Sequence, residues 1–155
     1  MSALLDIPSR FFVPRLVAAT DRDVIMLLAK ELGDCALPTF AEAACAREKR
    51  SPTGLPFGDV GVAIPHGEPE HVRSPAIVVA SLAKPVKFRQ MGSPKTFVEV
   101  SLVVMPALTA KEQAAAALSG IITLLQDATI RAALIAASSK EEMHAALGAA
   151  GAVPA

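Results

Sequence analysis

Apolar residues recur at two different spacings along the chain, and the spacing predicts which segments form helices. From Thr20 to Gly33 they recur every three or four positions, which predicts an amphipathic helix capped by Thr20 and ended by Gly33. A second helix is predicted from Thr39, which Glu42 follows three positions later as in a capping box, to about residues 47 to 49.

The helical spacing returns in the last third of the chain. It predicts a helix from Lys111 through the apolar positions up to Leu125. Asp127 is placed to cap a further helix, and Ser139 with Glu142 forms another capping box before the last one.

Other segments have the continuous or alternating apolar pattern of strands. They comprise residues 9–17, 61–67, 76–82 and 97–105, with a short extension over 86–88. Pro14 predicts an edge position or a break for the first strand, and Pro106 is expected to close the last one. Between the second helix and residue 61, two prolines and two glycines within residues 51–58 predict an ordered loop.

Strands that alternate with helices in a chain of this length predict a single α/β domain. We expect a sandwich in which a mixed parallel and antiparallel sheet of about five strands carries helices on both faces. The domain should span residues 1–150, and residues 151–155 should form a frayed tail.

Composition limits the classes of partner. Of the 155 residues 52% are hydrophobic, and the 15 basic residues balance the 15 acidic ones. The chain can bury a sizeable core without a net surface field, which makes nucleic acid and anionic membrane unsuitable partners. Apolar runs of about eight residues are shorter than the roughly twenty that span a bilayer, so we expect no direct membrane insertion and a cytoplasmic location.

The two cysteines, Cys35 and Cys45, match neither a redox pair nor a common zinc pattern. Reduced, partly buried thiols are the better interpretation, and a reactive Cys45 is the weaker alternative.

Residues 61–67 carry the most informative chemistry, because small apolar residues lead directly to His66, which stands between Pro65 and Gly67. The proline restricts the backbone before the histidine, and the glycine lets another molecule approach closely. A histidine alone is more often structural than reactive, but this setting predicts an accessible, rigidly aimed imidazole.

Three pieces of sequence, in this order and spacing, resemble the enzyme IIA domain of the fructose-mannitol type in the bacterial sugar phosphotransferase system. They are Arg47-Glu48, Pro52-Thr53-Gly54-Leu55 and Gly61-Val62-Ala63-Ile64-Pro65-His66-Gly67. A Leu-Leu-x-Asp turn at residues 124–127 extends the similarity over nearly the whole domain.

The resemblance implies that His66 is the catalytic residue of a phosphotransferase, which accepts a phosphoryl group from the phosphocarrier protein HPr and passes it to an enzyme IIB partner. Membrane component IIC would be reached only indirectly. No metal or organic cofactor is implied.

Several neighbours of His66 are candidates for holding the phosphoryl group or docking a partner. Arg47 matches the arginine near the phosphoryl site of relatives, although a surface arginine at a helix end is the plain alternative. Thr53 could donate a hydroxyl to phosphate or stabilise its turn. Phe57 could contribute to an apolar docking rim, and Gly67 could admit a partner's backbone.

One part of the family pattern is missing. Mannitol-type relatives have a second histidine at the helix after the 97–105 strand, where this chain has Gln113-Ala114. Either Gln113 or His71 is left to orient His66 or contact phosphate, and His71 is the weaker candidate.

The same loop is open to two other chemistries. His66 and His71 with Glu68 and Glu70 could form a metal cluster, but the spacing is unusual and no further ligands follow. The two glutamates could act as acid and base, but acids in a polar loop are usually solvated.

The substrate and role are less closely defined. Loop residues similar to those of the galactitol type suggest that subtype; they are Glu70-His71, residues 74–77, Pro85-Val86, Phe88 and Met91-Gly92. A regulatory module that signals through phosphorylated His66, as in nitrogen-related relatives, is the alternative to sugar or sugar-alcohol uptake.

Overall fold

The computed structural model describes residues 7–151, and for residues 149–151 it describes the backbone alone. Five strands form one sheet: β1 (Ser9–Leu16), β2 (Leu55–Pro56), β3 (Gly61–Ala63), β4 (Ala76–Gln90) and β5 (Ser93–Ala107). The helices are α1 (Asp21–Leu32), α2 (Phe40–Arg50), α3 (Lys111–Leu125), α4 (Ala128–Ala136) and α5 (Lys140–Gly151). Apart from Gly151, which ends α5, the predicted frayed tail lies outside the described residues.

The sheet is mixed, with the strand order β1-β4-β5-β3-β2. β4 and β5 pair antiparallel, as do β2 and β3, whereas β1 lies parallel to β4 and β3 parallel to β5. Side chains alternate between the faces, so Val78 and Val103 pack with α1 and α2, while Val79 and Leu102 pack with α3, α4 and α5. The predicted α/β sandwich with helices on both faces is confirmed.

β1 satisfies both expectations for Pro14. It is an edge strand, and its register against β4 shifts between Val13 and Leu16. Arg15 has a positive φ of 54°, and its amide donates a hydrogen bond to Ser81 Oγ at 2.8 Å instead of continuing the ladder. An edge strand tolerates this irregularity because one side of its backbone has no strand partner.

The β4–β5 hairpin is longer than the sequence predicts. β4 continues to Gln90, β5 already begins at Ser93, and β5 ends one residue beyond Pro106. Gly92, with a φ of 76°, lies in the turn, a conformation that glycine adopts without strain. Each strand satisfies the backbone groups of the other, so polar residues extend the pairing beyond the apolar runs.

The predicted helix caps are confirmed except for one. Thr20 accepts from the Asp23 amide, Asp127 caps α4, and Ser139 accepts from the Glu142 amide. Thr39 makes no capping hydrogen bond and has helical backbone angles, so that prediction is wrong. Its hydroxyl instead forms a hydrogen bond with the side chain of His71, which lies outside the helix.

Among the described residues, no single helix is long and apolar enough to cross a membrane. Taken together, α3 and α4 have the length and composition of a membrane-crossing segment, but the two helices are bent by 88° relative to each other.

Candidate functional site

His66 lies just after β3, at the end of a backbone segment that is completely buried up to Pro65. Its Nδ1 is 2.9 Å from the carbonyl oxygen of Ile64. Because a carbonyl can only accept, this contact assigns the ring proton to Nδ1 and leaves the lone pair on Nε2. The imidazole is partly buried, so it is less accessible than the sequence suggested, but its orientation is fixed.

Arg47, in the last turn of α2, contacts that lone pair. Its Nε donates to His66 Nε2 at 2.9 Å, and its Nη1 donates to Glu68 Oε1 at 2.6 Å. The guanidinium therefore joins a potential nucleophile and a carboxylate with two of its donors. Arg47, predicted to lie near the phosphoryl site, thus contacts His66, whereas the part played by Glu68 was not predicted.

The surroundings of His66 favour its neutral form. Burial is the main reason that the pKa of His66 lies below its ordinary value, and the positive charge of Arg47 lowers it further. The Ile64 carbonyl and the charge of Glu68 act in the opposite direction. The net result is an imidazole that keeps its Nε2 lone pair at neutral pH.

A second, buried network holds the backbone that carries His66. Glu48 accepts from the amide and from the hydroxyl of Thr53, both at 2.8 Å, and the Thr53 Oγ accepts from the Ile64 amide at 3.0 Å. The Ile64 carbonyl then orients the imidazole. These hydrogen bonds connect α2, the loop after it and the end of β3 to the His66 ring.

Thr53 is therefore placed differently from the phosphate-stabilising role predicted for it. It is 3% exposed, and its one hydroxyl proton is donated to Glu48. With no proton left to give a phosphoryl oxygen, Thr53 supports the loop and β3, which was the alternative left open. The pKa of Glu48 is raised, mainly by burial, while the two hydrogen bonds from Thr53 oppose that rise.

Neither candidate replacement for the missing histidine forms a hydrogen bond with His66. His71 lies in a short 3₁₀ turn, where its Nδ1 forms a 2.8 Å hydrogen bond with the Thr39 hydroxyl. Gln113 is exposed in the first turn of α3 and lines a cleft with Ile7 and Leu108. Among the described residues, the groups hydrogen-bonded to the His66 ring are Arg47 and the Ile64 carbonyl.

The two predicted docking residues are both partly exposed. Gly67 follows His66 directly, and a Cβ atom at Gly67 would come within 3.1 Å of the Phe40 ring, so a side chain would displace that ring or the loop. Phe57 packs against the core below α3 and α4, with the Arg131 guanidinium 5.2 Å from its ring centroid.

Two of the alternative chemistries are a metal cluster in the His66 loop and a reactive Cys45. Residues 7–151 contain no group of three or more histidine, cysteine, aspartate or glutamate side chains that could hold a metal ion. Cys35 and Cys45 are partly buried free thiols, and burial raises the pKa of Cys45, which disfavours the reactive thiolate.

Two functional neighbours were missed by sequence reasoning, and both are glutamates. Glu48 looks like a surface residue of a charged helix, but it is 5% exposed. Glu68 looks like a solvated loop acid, but it pairs with Arg47. Proximity to the recognised residues, one position after Arg47 and two after His66, was the feature that could have identified them.

Comparisons with known proteins show the family and the fold of this chain. The family model described as phosphoenolpyruvate-dependent sugar phosphotransferase system, EIIA 2, matches residues 8–149. A curated relative from Escherichia coli, the PTS system 2-O-alpha-mannosyl-D-glycerate-specific EIIABC component, is 32% identical over 108 residues. That match covers 70% of this chain but only 16% of the relative, so the chain spans a small part of that protein's length.

Solved structures share the fold. One described as a PTS IIA domain from Streptococcus pyogenes has a TM-score of 0.75 and 25% identity, over 96% of this chain and 95% of that one. A structure of the complex of enzyme IIAMTL and phosphorylated enzyme IIBMTL from Escherichia coli matches with a TM-score of 0.70 and 22% identity. The latter match covers 89% of this chain and 94% of that one. The chain thus belongs to the EIIA 2 family of the phosphoenolpyruvate-dependent sugar phosphotransferase system, as a phosphotransferase component of its relay.

Proposed function

We propose that His66 is the transient phosphoryl acceptor of this chain, receiving the group from HPr and passing it to an enzyme IIB partner. The observation that carries the proposal is the pair of contacts on its ring. The Ile64 carbonyl holds the proton on Nδ1, and Arg47 marks the direction of the Nε2 lone pair.

The transfer needs no proton movement in this chain. The Nε2 lone pair forms a bond to phosphorus, while the bond between phosphorus and HPr breaks and its electron pair leaves with HPr. The Nδ1 proton stays on His66 throughout, and the N–H group keeps donating its hydrogen bond to the Ile64 carbonyl. Onward transfer reverses these roles, with the electron pair of the N–P bond returning to Nε2.

Arg47 has to exchange one hydrogen-bond acceptor for another during the reaction. In the free protein its Nε donates to the same lone pair that attacks phosphorus. When the phosphoryl group arrives, that N–H can instead donate to a phosphoryl oxygen, which binds a guanidinium more strongly than a neutral ring nitrogen does. Alignment and charge stabilisation of this kind are what a loose phosphoryl-transfer transition state requires.

The proposed protein partners are HPr and an enzyme IIB. A structure of enzyme IIAMTL bound to phosphorylated enzyme IIBMTL has this fold and supports IIB as the second partner. Gly67 and Phe57 remain proposed docking residues, because both are partly exposed and Gly67 adjoins His66. HPr as donor, the indirect link to IIC and the cytoplasmic location belong to the proposal.

The sugar is a separate question, since this chain carries a phosphoryl group and need not touch the transported molecule. The loop residues suggest galactitol, and this assignment stays a prediction. The curated relative named above is specific for 2-O-alpha-mannosyl-D-glycerate, a property of that protein. The regulatory alternative uses the same phosphorylated histidine and would be favoured if no gene for a IIB or IIC partner lies nearby.

The test is incubation with phosphoenolpyruvate, enzyme I and HPr, followed by intact mass measurement at alkaline pH. The parent should gain one phosphoryl group, and His66→Ala should gain none. His71→Ala is the matched control, because His71 lies in the same loop but bonds to Thr39, and it should be phosphorylated like the parent. Phosphorylation of His66→Ala, or none in the parent, would refute the proposal.

A further inference from the structure

Glu68 occupies a position that the proposed phosphoryl transfer does not explain. Its carboxylate lies 2.6 Å from Arg47 Nη1, while Nε of the same guanidinium lies 2.9 Å from His66 Nε2. The Arg47 and Glu68 side chains are 31% and 37% exposed, so the pair is open to an incoming group. One cation thus serves both the reactive nitrogen and a carboxylate.

Phosphorylation changes what Arg47 has to satisfy. The lone pair of Nε2 enters the N–P bond, so Arg47 Nε loses its acceptor on the ring. In its place come phosphoryl oxygens with a charge of about −1.5 to −2, located where Arg47 now points. Glu68 still holds Nη1 of the same guanidinium, and two anions then compete for one cation.

We propose that Glu68 competes with the phosphoryl group for Arg47 and thereby keeps phosphorylated His66 easy to discharge. The inference rests on the proposed function and adds a regulator of the same site. In a relay, the carrier has to release its phosphoryl group as readily as it accepts it. A carboxylate that shares the stabilising arginine raises the free energy of the phosphorylated state and favours transfer to the next protein.

The other acids near the site are not placed to do this. Glu48 is buried, and its two carboxylate oxygens accept from Thr53. Glu70, two residues after Glu68, is exposed and forms no ion pair within residues 7–151. Glu68 is therefore the carboxylate that shares Arg47 with His66, and Glu70 provides a matched control for charge removal in the same loop.

The test measures how a phosphoryl group distributes at equilibrium between HPr and the chain, by mixing phosphorylated HPr with each variant and quantifying both proteins by intact mass. Glu68→Gln should shift the equilibrium towards the phosphorylated chain by about threefold to fivefold, the range expected for a partly exposed ion pair. Glu70→Gln should match the parent. The shift should shrink at high salt, because mobile ions screen both anions.

A double variant shows whether Glu68 acts through the arginine. In an Arg47→Ala background, Glu68→Gln should leave the equilibrium nearly unchanged, since no shared cation remains. An effect as large as in the parent background would overturn the proposal in favour of direct repulsion. If the parent is phosphorylated but Glu68→Gln does not change the equilibrium, the proposal about Glu68 is also overturned. If the parent takes up no phosphoryl group, the proposed function itself is refuted.

Discussion

Two buried charged residues stabilise the segment around β2 and β3 from opposite faces of the sheet. Glu48 on α2 and Arg131 on α4 are each 5% exposed. Glu48 receives two hydrogen bonds from Thr53, and Arg131 donates to Leu125, Phe57 and Asp59. A buried charge is expensive unless it is fully paired, so both residues impose a definite conformation on the chain they bind.

The two networks differ in where their hydrogen bonds lead. From Glu48 they continue through Thr53 to the Ile64 amide, and the Ile64 carbonyl orients His66. From Arg131 they end at the carboxyl end of α3 and at the loop before β3. Arg131 Nε also has no hydrogen-bond partner among the described residues. A buried charged residue therefore supports the His66 ring on one face of the sheet and only the scaffold on the other.

Thr53→Val gives the largest expected effect and tests the Glu48 side. It removes one donor from a buried carboxylate and leaves the Ile64 amide unpaired, which should cost about 2–4 kcal/mol of unfolding free energy. Because the ring loses its support, the phosphorylation rate per folded molecule should fall by about tenfold or more. Denaturant unfolding and the initial rate of phosphoryl uptake from HPr measure the two effects.

Thr53→Ser keeps the hydroxyl and should restore most of both quantities. Thr39→Val makes the same chemical change at an exposed threonine that bonds to His71, and it should alter neither. A Thr53→Val variant that loses stability but keeps the parent rate would show that the Glu48 network does not position His66.

Arg131→Met gives a smaller effect and tests the other side of the comparison. It removes the hydrogen bonds to Leu125 and Asp59, but it also removes a desolvated cation, so the net loss should be about 1 kcal/mol. The phosphorylation rate per folded molecule should stay at the parent value, because no bond of this network reaches His66.

Arg22→Met is the matched control for that variant. Arg22 pairs with Glu42 on the surface, where solvent screens the ion pair, and its loss should leave the unfolding free energy close to that of the parent. A reduced phosphorylation rate in folded Arg131→Met would contradict the separation of the two networks.

The pH dependence of stability should give the smallest difference, with opposite signs for the two networks. Burial raises the pKa of Glu48. The stability that this raised pKa contributes to the folded state is therefore present below about pH 4.5 and is lost as the pH rises through the raised pKa. The hydrogen bond from Arg131 lowers the pKa of Asp59, so its contribution is present above about pH 3.8 and is lost as the pH falls through the lowered pKa.

Unfolding free energies measured across this range for the parent, Glu48→Gln and Asp59→Asn check both signs. The difference between the parent and Glu48→Gln should decrease as the pH rises, whereas the difference between the parent and Asp59→Asn should increase. Equal signs would mean that one of the two carboxyl groups has a different partner in solution.

The sequence predicted the elements well because their determinants are local. Apolar spacing predicted α1, α3 and four of the five strands, and side chains such as Thr20 and Asp127 capped helices next to them. The two-residue β2 lies in the segment 51–58 that was predicted as a loop, and β3 ends at Ala63, earlier than predicted. Thr39 failed as a cap because its hydroxyl bonds to His71, 32 residues away, and no local pattern encodes such a contact. The hairpin was underestimated because pairing between β4 and β5 extends beyond their apolar residues.

In the candidate site, too, the sequence predicted the features that depend on local motifs and did not predict contacts between distant residues. Residues 61–67 singled out His66 as the candidate residue, and together with Arg47-Glu48 and residues 52–55 they indicated the family, because short motifs can specify both a backbone conformation and a chemistry. The resemblance also placed Arg47 near His66. Sequence alone did not show that Thr53 donates its proton to Glu48, or that His71 and Gln113 have no hydrogen bond to His66.

By itself, the amino-acid sequence determined the alternation of strands and helices, the candidate histidine and the family, since spacing and motifs depend on neighbours along the chain. Only the tertiary structure decided which nitrogen of His66 is available and which residues share Arg47. Those features depend on α2, β3 and the loops meeting in space. Hydrogen-bond geometry across such distances is set by the packed sheet and helices, and therefore appears only once the chain has folded.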